Sequence, residues 1–320
     1  MTTAGDVALS ALIGESVVMR EMRDLIQAVA RTPLPVLVLG PTGSGKELVA
    51  RAIHAASASQ GSLVCFNAAA LTDSMFEDTL FGHVRGAFTG AVSDHTGLLA
   101  EADGGTLFAD EVASMSIVAQ AKMLRAIETG EYRAVGAQRD KRSRFRLVSA
   151  ANDDMRLLVT EKRFRSDLLH RLAGVVIEVP SLAERRGDIP ALARHYLTLE
   201  SGRDLTLDDD AAALLAQRHW PGNVRELRHL MALVAALSDT RVTMVALRRA
   251  LSLRLESEIV LAIEMPERRE LSDALERHGW DTESAADELG IHRTTLYRRM
   301  KRYRLTPPAL ASHMYDAATQ

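Results

Sequence analysis

The stretch Val36-Leu37-Val38-Leu39-Gly40-Pro41-Thr42-Gly43-Ser44-Gly45-Lys46-Glu47 decides the fold of this chain. A short apolar run feeds a glycine-rich turn, a lysine and a helical stretch over 47–54, the order that a phosphate-binding loop requires. The loop amides would cradle phosphate oxygens, with Lys46 at the β and γ phosphates of a nucleotide. A Ser or Thr usually follows that lysine as the hydroxyl ligand to Mg²⁺, and here the position is Glu47.

Outward from the loop, short apolar segments at 35–39, 62–67, 106–109, 145–150 and 174–179 alternate with helical stretches, which predicts a parallel α/β sheet. After Pro180 the strands stop, and 189–200, 208–217, 223–236 and 244–253 read as helices. A mixed segment ending in Pro266 reads as a linker before a basic carboxyl-terminal region. The boundaries are a tail over 1–12, an α/β subdomain over 13–179, a helical subdomain over 180–253, a linker over 254–267, an all-α domain over 268–306 and a tail over 307–320.

The composition, 47% hydrophobic and 25% charged over 320 residues, is that of a globular chain long enough for two or three domains. A net charge of −3 excludes overall attraction to nucleic acid, so such contact requires a local basic patch. Cys65 is alone, which excludes an intramolecular disulfide and a multi-cysteine zinc site. Its place in Leu63-Val64-Cys65-Phe66 predicts a buried thiol. With no basic leader and no apolar run of membrane-span length, the expected location is cytoplasmic.

A second site element is Thr106-Leu107-Phe108-Ala109-Asp110-Glu111, a strand delivering two adjacent carboxylates. An acid at the first position holds Mg²⁺ in hydrolytic ATPases, and its neighbour orients the attacking water. Asn152 and Asn67, each at a strand end, fall where a γ-phosphate sensor would. Arg165 and Arg171 lie six positions apart on a predicted helix, where either alone reads as a solvated surface charge. In Trp220-Pro221-Gly222-Asn223-Val224-Arg225 a Pro-Gly turn precedes Asn223 as the expected N-cap, and the first helical turn offers Arg225.

Gly86-Ala87-Phe88-Thr89-Gly90-Ala91 is an uncharged, glycine-flanked loop with one large aromatic. Alone it reads as a turn whose Phe88 packs on its own core. Burying a Phe is worth about 1.5–3 kcal/mol, so a loop that presents one instead is built to meet another surface.

Taken in order, IGES (13–16), GPTGSGKE (40–47), FNAAAL (66–71), LFGHVRGAFTGA (80–91), GGTLFADE (104–111), FRSDLLHRL (164–172) and WPGNVREL (220–227) resemble the AAA+ activators of sigma-54 RNA polymerase, the bacterial enhancer-binding proteins. The match covers most of the chain, from about Ile13 to Arg304, and GAFTGA is its most specific motif. The fold so implied is an α/β AAA+ P-loop ATPase with a parallel sheet and helical lid, followed by a small all-α helix-turn-helix domain. The resemblance implies ATP with Mg²⁺ as cofactors and hydrolysis between subunits of a ring, a hexamer of one chain or with a paralogue. It settles Glu47, since GKE is normal in this family. It places Ile13 and Gly14 with Gly40 through Glu47 and Asp110 at the nucleotide, and makes Asp110 the metal ligand. It makes Glu111 the second acid of a Walker B pair, Asn67 a switch restraining Glu111, Asn152 sensor I and Arg225 sensor II. Arg165 and Arg171 would reach into the neighbouring subunit's site, and Gly86 through Ala91 would touch sigma-54. Pro41-Thr42 replaces the family's Glu-Ser, and Thr79 and Val84 replace acids before the loop.

Near the carboxyl end, helical segments over 271–279, 282–289 and 292–303 surround a turn at Gly290, and no acid occurs over 291–305. Helix, glycine turn and basic helix form a helix-turn-helix pattern whose last helix enters the major groove. Residues 285–298 resemble the Fis-type DNA-binding domain. The candidate DNA contacts are His292, Arg293, Thr294, Thr295, Arg298, Arg299 and Arg302.

The function so implied is ATP-driven remodelling of the closed sigma-54 promoter complex from an upstream enhancer DNA site. Two other readings stand beside it: a DNA-binding regulator that uses the AAA+ domain only as an oligomerisation scaffold, and a remodelling ATPase acting on another protein. Only about a dozen residues precede IGES, too few for a receiver or sensor domain of about 100 residues. Control is therefore expected from a partner protein in trans or from expression level.

Overall fold

The computed structural model describes residues 4–57, 59–264, 266–303 and 305. Five parallel strands, β1 (Val36–Leu39), β2 (Leu63–Asn67), β3 (Thr106–Asp110), β4 (Arg146–Ala151) and β5 (Val175–Glu178), lie in the order β2-β3-β4-β1-β5. The three central strands are nearly continuous apolar runs because helices cover both faces of the sheet. Val38 stands level with Ala150 on one side and Ile177 on the other, and Asn67 stands level with Asp110. The chain leaves β1 for β2 across two intervening strands, so the strand order reverses beside the carboxyl end of β1, and a crevice opens at Gly40.

On one face, helices α1 (Ala4–Ser10), α2 (Val17–Ala30) and α3 (Lys46–Ala56) bury Met19, Ile26, Val49 and Ile53 against Val36, Phe108 and Ile177. On the other, α4 (Asp73–Phe81), α5 (Ile117–Thr129), α6 (Met155–Thr160) and α7 (Ser166–Leu172) enclose Phe76, Leu80, Met123, Phe164 and Leu168. Phe164 is 2% exposed. Phe164→Ala is expected to lower stability by about 3–5 kcal/mol, the usual cost of emptying a large core site, as read from its denaturant midpoint.

Three local expectations change. Of the expected tail over 1–12, residues 4–12 are part of the fold, because Ala4–Ser10 is helical, and Leu9 and Leu12 are buried in the same core as α3. Cys65 is exposed. Its strand is the edge of the sheet, and alternation turns Val64 and Phe66 inward and Cys65 outward. The helices after the sheet are α8 (Ile189–Ser201), α9 (Asp209–Gln217), α10 (Asn223–Leu237) and α11 (Met244–Glu264), and the last, expected to end at 253, runs on to 264. Residues 254–264 contain no Gly or Pro, so nothing stops the last of these before Pro266, which opens α12 (Pro266–Arg277). Residues 254–264 and 266–267 of the expected linker are therefore helical.

Residues 1–244 form one compact unit and 245–320 a second. In the first, α8 packs on α10, and the buried Trp220 indole donates to the Leu215 carbonyl at 2.9 Å. In the second, α12, α13 (Thr282–Glu288) and α14 (Arg293–Tyr303) enclose Leu271, Leu275, Ala285 and Leu296. The expected tail over 307–320 lies outside the described residues.

Candidate nucleotide site, loop and DNA-reading helix

The loop over 40–45 leaves β1 and ends on the first turn of α3, with Gly43 at φ +77° and Gly45 at φ +111°, conformations that glycine adopts without a Cβ penalty. A cleft of 710 Å³ opens above it, lined by Lys46, Asp110, Glu111, Arg225 and Arg228. The Lys46 ammonium donates to the Gly40 carbonyl at 2.8 Å. Burial pulls this group below the ordinary lysine range, and the charges of Asp110 and Glu111 oppose that pull. A half-buried cation facing two carboxylates and a helix amino terminus is a receptor for an anion.

Glu111 follows β3 at φ +53°, a left-handed conformation unusual for a residue with a side chain. Its amide donates to the Asp110 carboxylate at 2.9 Å, so the two acids are held as a pair at the lip of the cleft. Asn152, just past β4, donates to the Thr42 hydroxyl at 3.0 Å, which ties this strand end to the phosphate loop. Asn67 lies level with Asp110, but its carboxamide oxygen accepts from the Ala69 amide at 2.8 Å rather than engaging Glu111. Glu47 lines the cleft, while its carboxylate is taken by Arg51 one turn along α3, at 2.6 Å.

The residues fit ATP with Mg²⁺. Ser44 Oγ is buried with no hydrogen-bond partner, and Asp110 offers a carboxylate to the cleft above the loop. Magnesium keeps several waters and takes one or two carboxylates plus phosphate oxygens, so a dense ligand cluster is not needed. None of three or more His, Cys, Asp or Glu occurs among the described residues. A much smaller, mostly apolar pocket, lined by Ile13, Met22, Leu48, Leu192 and Tyr196, adjoins the loop. Gly14, at φ +140°, leaves the space in which the buried Asp188 carboxylate accepts from the Glu15 amide at 2.8 Å and the Ser16 amide at 3.0 Å. That contact fixes the turn that carries Ile13.

Asn223 does not cap α10, as its sequence suggested. It is the first helical residue, at φ +51° and 4% exposed, with Gly222 as the cap. Its Nδ2 donates to the Thr42 carbonyl at 3.0 Å, and its Oδ1 accepts from the Leu182 amide at 2.9 Å. A Pro-Gly turn pushes the chain past the capping geometry, and burial makes the amide worth more as a cross-link. Arg185, also 4% exposed, escaped sequence reading because a lone Arg in a polar run carries no signal of burial.

Arg165 and Arg171 stand outside the cleft. Arg165 is the N-cap position of α7 and grips Asp167 at 2.7 Å, holding that carboxyl down to about 2. Arg171 pairs with Glu128 at 3.1 Å. Such solvent-screened pairs contribute little, so exchange for another anion costs little.

Gly86 through Ala91 form a closed hairpin tip over the short pairing of Gly82–His83 with His95–Thr96. The Gly86 amide donates to the Ala91 carbonyl at 2.9 Å, and the Ala91 amide to the Phe88 carbonyl at 3.0 Å. Phe88 is 47% exposed, with the His83 ring edge-on to it at 4.9 Å, so it does not pack into the core. Ala87 packs beside Gly136, while Thr89 and Gly90 are exposed.

In the second unit α13 begins at its N-cap Asp281, and Gly290 turns at φ +63° into α14. His292 and Thr294 pair at 2.9 Å across the first turn. Arg293, Thr294, Tyr297 and Arg298 are exposed, whereas Thr295 and Arg299 are partly buried. Arg293 lies 3.8 Å from Glu283 and over the Tyr297 ring at 5.7 Å, so Tyr297 joins the surface that the sequence had assigned to basic residues. The Arg302 side chain lies outside the described residues.

A parallel sheet that closes on a phosphate loop, an adjacent acid pair and a helical lid bearing an arginine define an AAA+ ATPase domain. Residues 12–178 match the sigma-54 interaction domain, 183–259 the AAA+ ATPase lid domain and 262–303 the bacterial regulatory protein Fis family. The chain belongs to the sigma-54-dependent transcriptional regulators. It is 40% identical over 302 residues to the transcriptional regulatory protein ZraR of Escherichia coli K12, covering 91% of this chain and 68% of that one. It is 46% identical over 235 residues to the anaerobic nitric oxide reductase transcription regulator NorR of Vibrio vulnificus, covering 72% of this chain. It spans 46% of that regulator's length, about half. The crystal structure of NtrX from Brucella abortus in complex with ATP superimposes with a TM-score of 0.68 at 33% identity, over 91% of this chain and 68% of that one. No helix among the described residues is long and apolar enough to cross a membrane.

Proposed function

We propose that this chain is an ATP-driven activator of sigma-54 RNA polymerase, which binds an upstream enhancer and remodels the closed promoter complex. The observation that carries this reading is the exposed GAFTGA tip, with Phe88 47% in solvent, on the same compact unit as the phosphate loop and acid pair. An ATPase with no substrate to move has no use for an apolar tip held away from its core.

In this reading Lys46 and the loop amides bind the phosphates, and Asp110 holds hydrated Mg²⁺. Glu111 orients the water, and Asn152 and Arg225 sense the γ-phosphate. Asn67 exchanges its local Ala69 contact for Glu111 as the nucleotide state changes. Subunits form a ring, of this chain or with a paralogue, in which Arg165 and Arg171 leave their local carboxylates for the neighbour's phosphates. Developing charge on the transferred group is then met by cations that need no rearrangement of solvent. Phe88 and Thr89 contact sigma-54 and α14 reads DNA, in the cytoplasm.

Purified protein with sigma-54 polymerase on a supercoiled template is expected to give permanganate-sensitive open complexes with ATP and none with a non-hydrolysable analogue. Absence of hydrolysis by the concentrated protein would replace this reading with the scaffold one. Hydrolysis with no open complex would assign another protein substrate.

A further inference from the structure

Every carbonyl over 40–44 is taken, the first two by donors of the loop and α3 and the next three by the helical lid. Lys46 serves Gly40 and Pro41, at 2.8 and 3.4 Å. The next three carbonyls accept from the helical lid instead. Asn223 Nδ2 donates to Thr42 at 3.0 Å, the Arg225 amide to Gly43 at 3.2 Å and Arg185 Nη2 to Ser44 at 3.1 Å. Two of these donors are side chains only 4% exposed, and one is a buried cation whose other fork reaches Met19 Sδ at 2.9 Å. A buried guanidinium loses hydration that a thioether does not restore, so its retention calls for a reason beyond packing.

Geometry supplies that reason. In a trans peptide the carbonyl of one residue and the amide of the next point in opposite directions. Fixing the carbonyls of 42, 43 and 44 therefore fixes the amides of Gly43, Ser44 and Gly45 on the other side of the loop. The Ser44 amide closes a turn onto the Pro41 carbonyl at 3.2 Å. Those of Gly43 and Gly45 make no backbone bond among the described residues, which leaves them to a phosphate. Asn223 meanwhile accepts from Leu182, so the same carboxamide ties the loop to the start of the lid.

We propose that Asn223 and Arg185 are positioning residues, through which the lid holds three successive phosphate-loop carbonyls and so sets the loop's affinity for phosphate. The lid and the phosphate cradle then move as one body. Phosphate that reshapes the loop must shift the lid, and a lid turned by its surroundings must loosen the phosphate; such coupling is reciprocal. The inference rests on the ATP reading of the cleft.

The test compares fluorescent analogues of AMP and ADP binding to the full chain. Asn223→Asp keeps the shape and the acceptor for Leu182 but removes the donor to Thr42. Asn223→Gly suits φ +51° and removes both bonds, so loss in both variants is not a strain effect. Arg185→Met keeps the bulk and removes the donor to Ser44, and Arg185→Lys restores a cation. ADP affinity is expected to fall about tenfold in Asn223→Asp, Asn223→Gly and Arg185→Met, about the 1.4 kcal/mol of one hydrogen bond to a charged or buried group. AMP affinity should stay within about twofold, since its single phosphate needs less of the loop, and Arg185→Lys should recover most of the loss. Equal weakening of AMP and ADP would mean a merely structural role and would overturn the proposal. So would ADP affinity unchanged in every variant, even if one of them folds poorly. Failure of the wild-type chain to bind ADP would instead bring down the ATP reading itself.

Discussion

Glu111→Gln should bind ATP as tightly as the wild-type chain and hydrolyse it about 10²–10⁴ times more slowly, the usual contribution of a positioned general base. The substitution keeps the shape of the side chain and removes only the charge that polarises water. Glu111 sits at φ +53°, a conformation that costs of order 1–3 kcal/mol for a residue with a side chain and persists where the surroundings impose it. The Glu111 amide is held by Asp110 at 2.9 Å, so neither the backbone nor the Asp110 carboxylate needs to change in the variant. Steady-state phosphate release beside an equilibrium ATP titration reads the two effects separately. Hydrolysis within tenfold of wild type would remove Glu111 from the chemistry. A parallel loss of ATP binding would show that its charge serves binding instead.

Thr89→Ala should separate hydrolysis from work. The residue is exposed at the loop tip, between Phe88 and Gly90, the latter at φ +100°. Nothing in the hairpin's backbone bonds depends on its hydroxyl, because Gly86, Ala87 and Ala91 supply the donors and Val84, Phe88 and Ala91 the acceptors. ATPase activity should therefore stay within about twofold. Loss of a contact at the centre of a small interface costs about 2 kcal/mol or more, so open-complex formation should fall at least about 30-fold. Permanganate footprinting on a sigma-54 promoter, with hydrolysis measured in the same tube, decides it. Open complexes at wild-type yield with normal hydrolysis would place the sigma-54 contact elsewhere.

The catalytic half of the molecule was legible because its signals are local. A strand of four apolar residues, a glycine turn and a lysine need only their own neighbours to be understood, and the acid pair follows its strand directly. What escaped depends on distant partners. Cys65 looks buried in an apolar run, and only the strand order reveals that the run forms an edge. Asn223 looks like a cap, and only the approach of residue 42, 181 positions earlier, makes its carboxamide a cross-link. Arg185 is one arginine in Glu184-Arg185-Arg186, and its neighbour Arg186 is exposed while it is not. The amino-terminal helix was missed because seven residues carry too little periodicity, and its stability comes from packing on α3. The GAFTGA loop was read through resemblance, since glycines that permit an exposed tip permit a packed turn equally well.

The outward-facing thiol on the sheet's edge strand has a practical side. The chain contains one cysteine, so this chain can carry a single fluorophore or spin label at a known position with no prior mutagenesis. Partial desolvation raises the thiol above its ordinary range, so attachment calls for mildly alkaline buffer and patience. The dye would stand two residues from Asn67, on the strand that ends beside Asp110, and would report in real time on whether that end of the sheet stirs as ATP is turned over.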